Sequence, residues 1–299
     1  MQKVKVILFL TLSCCFSKIY SQFFQTEYYS TSPFYYEVGG GIGAMNCITD
    51  LGGANGDKKY YINEIKAKNF RPSVDIFAGV VYHNYLGMRL QGSRGQIRSS
   101  DADIKGNTII ANYKRNRNQS FRTNITEVAL IFEFRPLVLF DLQPRKWAPE
   151  PYIDAGFGWF SFNPQTQYNG HWLDLKPLHT EGEGFPEYPS VSNYKLHQYN
   201  VPIGIGLRYK LSSRLNIRLE YMHRILFTDY LDDASSQKYI DPSAFDKNLS
   251  PEAAADAKAL YLRSINGTIP PRRGNPNNND TYMSLTLKLG VILGRESID

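Results

Sequence analysis

Cysteine is nearly absent: the chain of 299 residues has three. Two of them, Cys14 and Cys15, lie in the first apolar run, so a leader ending near Ser21 would leave only Cys47. One thiol closes no internal disulfide, which excludes a stapled fold. Long apolar helices are missing too. Past the N-terminus no run approaches the roughly 20 apolar residues of a helical span, and the mean hydropathy of −0.38 excludes a polytopic helical membrane protein. Clustered basic charge is also lacking. Lys+Arg 34 against Asp+Glu 28 leave a net +6 spread along the sequence, which gives no footprint for nucleic acid. The five histidines, His83, His171, His179, His197 and His223, show no helical ligand spacing, and no Cys pair accompanies them. No metal and no other cofactor is therefore expected. Gly39-x-Gly41-x-x-Ala44 matches a dinucleotide fingerprint only loosely, because no helix pattern follows it.

Aromatic residues are abundant, and the 21 Tyr exceed the 17 Phe. Tyr has an apolar ring and a polar tip, and suits an apolar–water boundary. The first residues resemble an export signal. Lys3 and Lys5 precede a short apolar run from Val6 to Phe16, and Ser21-Gln22 offers a cleavage point. The expected division is a signal peptide over 1–21 and a single domain over 22–299. Lipidation at Cys14 or Cys15 stays open.

The remainder reads by period two, the mark of half-buried strands. In the C-terminal stretch Met283, Leu285, Leu287, Leu289, Val291 and Leu293 share one face, and Ser284, Thr286, Lys288 and Gly290 the other. Leu215, Ile217, Leu219, Tyr221 and Ile225 oppose Arg218, Glu220 and Arg224, while Val201, Ile203, Ile205, Leu207 and Tyr209 oppose Arg208 and Lys210. Ile153, Ala155, Phe157 and Trp159 oppose Asp154; Val128, Leu130, Phe132 and Phe134 oppose Glu127, Glu133 and Arg135. Leu86, Met88 and Leu90 oppose Arg89; Val74, Ile76, Ala78, Val80 and Tyr82 oppose Asp75 and His83; Tyr36, Val38, Ile42 and Ala44 oppose Glu37. Eight strands result.

Their connections alternate. Leu51–Phe70, Arg94–Arg122, Asn163–Tyr199 and Leu231–Asn279 are long, whereas 83–85, 136–150 and 212–213 are short or moderate. An up-and-down barrel in an outer membrane has short turns on one rim and long loops on the other. The expected fold is therefore all-β, an eight-stranded antiparallel up-and-down transmembrane β-barrel with a short helix in its last loop. A soluble sandwich with the apolar faces turned together is the competing arrangement. Glycine favours the barrel. Gly39, Gly41, Gly43, Gly79, Gly156, Gly158, Gly204 and Gly206 fall mostly on the charged face, where a narrow lumen needs room for long side chains. The charges on that face, Glu37, Asp75, Arg89, Glu127, Glu133, Asp154, Arg208, Lys210, Arg218, Glu220, Arg224 and Lys288, are expected to pair across the lumen. Left unpaired, each would cost several kcal/mol.

Tyr35, Tyr36, Tyr82, Tyr85, Phe134, Tyr152, Trp159, Tyr199, Tyr209, Phe227, Tyr230 and Tyr282 fall near strand ends and suggest interfacial belts. Residues 251–263 form a helix by propensity, with Ser250 as N-cap and Pro251 in the first turn, and 274–279 read as a loop tip. Arg115, Arg117 and Arg122 make a basic patch that fits lipid phosphates or plain solvent. Asp229, Tyr230, Asp232 and Asp233, with Thr180 and Glu181, are candidate contacts at an exposed rim. A second reading, a small rim enzyme acting on lipid or peptide, would use His223 with a Ser or acidic partner.

Several strings resemble a known family. They are Arg117-Asn118-Gln119-Ser120-Phe121-Arg122-Thr123-Asn124-Ile125-Thr126-Glu127, Thr180-Glu181-Gly182-Glu183-Gly184 and Phe227-Thr228-Asp229-Tyr230-Leu231-Asp232-Asp233, together with Tyr36-Glu37-Val38-Gly39-Gly40 and Asp50-Leu51-Gly52. In this order they resemble the PorG-like outer-membrane barrels of Bacteroidota, associated with type IX secretion. The resemblance implies a non-enzymatic barrel that contacts outer-membrane lipid and periplasmic ring subunits of the secretion machine, with no small-molecule substrate.

Overall fold

The computed structural model of the chain describes residues 33–52, 65–139, 149–191 and 193–293. The proposed leader, its cleavage point and Cys14 and Cys15 lie outside them. Ten strands form among the described residues: β1 (Phe34–Ile48), β2 (Arg71–Tyr82), β3 (Leu86–Ser100), β4 (Ser120–Phe134), β5 (Glu150–Ser161), β6 (Pro164–Tyr168), β7 (His171–Asp174), β8 (His197–Lys210), β9 (Leu215–Leu226) and β10 (Thr281–Leu293). Four α-helices accompany them among the described residues: α1 (Ile109–Arg117), α2 (Pro136–Leu139), α3 (Ser243–Asn248) and α4 (Pro251–Tyr261). No described helix is long and apolar enough to cross a membrane.

Eight strands are antiparallel neighbours in the order β3-β2-β1-β10-β9-β8-β5-β4, and the β3–β4 pairing closes the ring. The register fixes the geometry. From Ser161 on β5 the ladder runs through Thr126, Arg94, Val74, Ile42, Leu287, Leu219 and Leu207 and returns to β5 at Pro151. One circuit thus steps ten residues along β5, from 161 to 151. That stagger on eight strands goes with a tilt of about 40° and a bore just wide enough for side chains.

The period-two pattern decides which side each residue takes. Ile42, Ile76, Phe157 and Leu287 point outward and are exposed, and the same holds for most of the apolar stripes. Glu37, Asp75, Arg89, Glu127, Glu133, Asp154, Arg208, Arg218, Glu220, Arg224 and Lys288 point inward and are buried. A sandwich would join the apolar faces. The closed ladder and the outward stripes rule it out.

The short connections lie on one rim. Between β2 and β3, His83 and Asn84 both take positive φ (46° and 62°). His83 is therefore an exposed turn residue and not a member of the inward face. Between β8 and β9, Ser212 Oγ accepts from the amides of Arg214 and Leu215 at 3.2 and 3.1 Å. The opposite rim carries the long loops. There β3 and β4 continue past the expected strand ends, so 94–100 and 120–122 are strand where the sequence suggested loop. The β6–β7 hairpin was also unexpected. It turns through Asn169 and Gly170, both at positive φ, the residue pair that favours a two-residue hairpin. Helix α4 starts as expected, with Ser250 Oγ accepting from Ala253 N at 3.3 Å.

Candidate functional site

The lumen is filled by ion pairs in tiers. Nearest the short-turn rim, Arg208 and Lys210 meet Glu150 at 3.2 and 2.9 Å. Arg135 donates to Glu133 at 2.6 Å and to the Tyr35 hydroxyl at 3.0 Å. Arg218 bridges Glu133 and Glu37, and Asn216 donates to Glu37 at 3.0 Å. At mid-barrel Arg89 holds three carboxylates, those of Glu133 (2.7 Å), Asp154 (3.0 Å) and Glu220 (2.6 Å). Lys288 links Glu220 (2.6 Å), Gln91 (2.7 Å) and Asp75 (3.6 Å). Higher up, Arg224 pairs with Glu127 at 3.0 Å, and Glu127 also accepts from Tyr282 and Asn200 at 3.0 and 2.7 Å. The twelve charges expected in the lumen are thus brought together. Arg135, read on the charged face beside Glu133, joins them, and so does Glu150, which the sequence reading left in a connection. Glu150 is the first residue of β5, where alternation gives no sign of direction.

Burial of so many charges is costly unless geometry and remaining hydrogen bonds compensate. Here each carboxylate named above faces at least one cation, and neutral groups such as Tyr152, which donates to Glu220 at 3.1 Å, fill further lone pairs. Three tyrosines expected at the interfacial belts, Tyr35, Tyr152 and Tyr282, belong to this network and are buried. Each sits on the inward phase of its strand, and phase overrides position near a strand end. Tyr36, Trp159, Tyr199 and Phe227 do face outward and are exposed.

Above Arg224 the filling turns apolar. Met45, Ile97, Phe121, Ile125, Phe160, Phe162, Leu226 and Leu231 form one buried cluster. Over it the long loops fold into a cap with its own core, in which Leu175, Phe185, Phe245, Ala257 and Leu260 pack together.

The cap corrects the expected rim. Thr180, Glu181, Asp229, Asp232 and Asp233 are buried, while Tyr230 is partly buried and stacks on Tyr194 at 4.5 Å. Leu51 N donates to Asp232 at 2.8 Å. Thr180 Oγ1 and the Tyr194 hydroxyl donate to Asp233 at 2.5 and 2.6 Å. Arg273 binds Glu181 at 3.0 Å, and Glu181 also accepts from the amides of Ser235 and Ser236 at 3.0 and 2.8 Å. These acids bind amides and hydroxyls inside the loops; they do not present charge to a partner. Burial drives the Glu181 carboxyl up to about 7 despite Arg273. Burial, then the neighbouring Asp233, raises Glu183 well above the usual carboxylate range.

The expected basic patch also divides. Arg117 is buried and grips Asp101 at 2.8 Å. Arg115 binds the carbonyl of Ile104 at 3.2 Å. Arg122 faces outward over the Trp172 ring at 3.5 Å. The supposed tip at 274–279 is anchored at its start, since Gly274 N donates to Ser236 O at 2.7 Å and Asn275 N to Asp50 Oδ2 at 2.5 Å. His223 is on the outward face of β9, opposite Ile203 and Met283. His197 stacks on Trp159 at 5.2 Å, and His179 lies in the cap beside Glu183. Among the described residues no group of three His, Cys, Asp or Glu is placed to hold a metal.

No family model matches the sequence, and no curated protein matches it. Among solved structures the chain is similar to Neisserial surface protein A, at 11% identity over 87% of this chain and 97% of that one, with a TM-score of 0.38. It is similar to the outer membrane protein OprG from Pseudomonas aeruginosa, at 12% identity over 87% and 95%, TM-score 0.35. A major outer membrane protein from Thermus thermophilus matches at 14% identity over 88% and 100%, TM-score 0.36.

Proposed function

We propose that the chain is an outer-membrane barrel that conducts no solute and works as a structural or interaction subunit of a protein secretion apparatus, without enzymatic turnover. The observation that carries this reading is the filled bore. Arg89 with its three carboxylates spans mid-barrel, and an apolar cluster lies over the ion pairs. A barrel filled in this way acts through its surfaces. The exposed outward stripes suit acyl chains, and by the usual orientation of such barrels the long loops stand outside and the short turns in the periplasm.

Type IX secretion is the apparatus we favour, with periplasmic ring subunits as partners. Four of the five strings that resemble the PorG-like family meet at the cap, while the string at 36–40 lies on β1 toward the other rim. Thr123 Oγ1 donates to Leu231 O at 3.0 Å, and Thr180 Oγ1 to Asp233. Those four strings thus share the work of building one cap. The short-turn rim, with exposed His83 and Arg214, is the surface that faces the periplasm in this orientation.

Photo-crosslinkers at His83 and Arg214, with Lys195 in the loop before β8 as reference, test the reading after mild-detergent extraction of outer membranes. Capture of a periplasmic ring subunit from the two turn positions is expected. Recovery of the barrel alone contradicts the secretion role. Stepwise ion currents in a planar bilayer contradict the sealed bore.

A further inference from the structure

We propose that the outer wall of β3 and β4 carries a binding site for the phosphate groups of an anionic outer-leaflet lipid. The inference rests on the outer-membrane reading above. Leu86, Met88 and Leu90 on β3 and Phe134, Phe132, Leu130 and Val128 on β4 form part of the outward apolar band. Continuing the same phase, the next outward positions are Gly92, Arg94, Gln96 and Arg98 on β3, and Thr126, Asn124 and Arg122 on β4. The apolar stripe therefore gives way to arginine on two adjacent strands.

The register sets the height of these arginines. Arg94 is two ladder steps from Ser161, and each step descends little more than one residue. Arg94 thus stands near the level of the outward Trp159, two residues below Ser161 on β5. Aromatic residues of this kind mark the headgroup boundary. Arg98 and Arg122 lie farther toward the loops, directly opposite each other in the ladder.

Like charges facing across a ladder repel, and little on this wall offsets them. Asp103 reaches Arg98 at only 3.9 Å and is shared with Lys68. Asp174 is engaged by Gln165 at 2.7 Å. Arg94 has no ion pair or hydrogen bond among the described residues. Arg71, at the start of β2, adds to the repulsion on Arg98. Arg122 is held in place: Trp172 covers one face of its guanidinium and Gln165 Oε1 accepts from Nε at 3.0 Å. Its remaining N–H groups are available to an anion. A phosphate in contact with Arg98 and Arg122 would relieve their repulsion through charge-assisted hydrogen bonds, and a second phosphate on the same lipid can reach Arg94.

The full chain in phosphatidylcholine nanodiscs with about 5 mol% bisphosphorylated lipid A provides the test. Retained lipid A per barrel is compared with that of dephosphorylated lipid A. Wild type is expected to enrich the phosphorylated form, and R94Q/R98Q/R122Q to lose about tenfold of that enrichment. Arg94→Gln alone, should the triple variant fold poorly, is expected to lose about threefold. Lys195→Gln, in the loop before β8, is expected to match wild type. Displacement by inorganic phosphate at about 10 mM would assign the site to a free anion and overturn the lipid. Equal retention of both lipids, or by both wild type and variants, overturns the site. A chain that fails to insert contradicts the membrane reading instead, which a heat-dependent gel shift reports before any lipid is measured.

Discussion

Gly206 lies so close to the ring of Tyr152 that a Cβ on it would come within 2.1 Å of Cζ. The two face each other across the β5–β8 ladder, Tyr152 opposite Gly206. The missing side chain is what lets the tyrosine lie flat in the lumen and donate to Glu220.

Gly206→Ala is therefore expected to push Tyr152 off this hydrogen bond and to destabilise the barrel by about 1–3 kcal/mol, the usual cost of overpacking. Urea unfolding in liposomes, followed by tryptophan fluorescence, measures it. Tyr152→Phe in the same background is expected to add little, because the bond is already lost.

Arg89→Met isolates a second relationship. Glu133 and Glu220 keep other cations, but among the described residues Asp154 has its only ion pair with Arg89. Removing Arg89 is expected to cost about 3–5 kcal/mol, as for a buried pair stripped of one partner. The double variant R89M/D154L is expected to recover part of that loss in the same unfolding assay. A double variant as unstable as the sum of its singles would show that Asp154 does not depend on Arg89.

The cap should respond to pH in a direction opposite to that of an ordinary salt bridge. Glu181 titrates near 4.5 when unfolded and near 7 in the cap. Between those values the folded cap binds more protons than the unfolded loops, so its stability is greatest below the lower value and falls as pH rises through the upper one. Protease cleavage of the cap loops, normalised to an unstructured peptide, is expected to be faster at about pH 8 than at about pH 5. Glu181→Gln is expected to reduce that difference, with the contribution of Glu183 remaining.

Much of the barrel was legible because period two survives wherever one face is apolar. Leu285, Leu287 and Leu289 announce their direction, and so do Arg218 and Glu220, which alternate with Ile217, Leu219 and Tyr221. The signal fades where the wall leaves the apolar band. Residues 94–100 have no apolar stripe facing outward, so their strand reads as loop. The β6–β7 hairpin carries an Asn169-Gly170 turn signal, but its strands are short and polar. The cap acids were misplaced for a related reason. Asp232 and Asp233 look like a solvated cluster in one dimension, and only the fold supplies the Leu51 amide and the Tyr194 hydroxyl that bury them.

Direction is what the barrel depends on: apolar residues point outward and charged ones face each other. Nitroxide labels placed singly at Ile42, Phe157 and Leu287, and at the inward residues Ser73, Ser93 and Thr286, test it in a cysteine-free background in liposomes. Collision with oxygen and with a water-soluble nickel chelate is compared at each site. The account predicts high oxygen and low nickel access at the three outward positions, with low access to both at the inward ones. Ready access of the nickel complex to Ile42, Phe157 and Leu287 would contradict it.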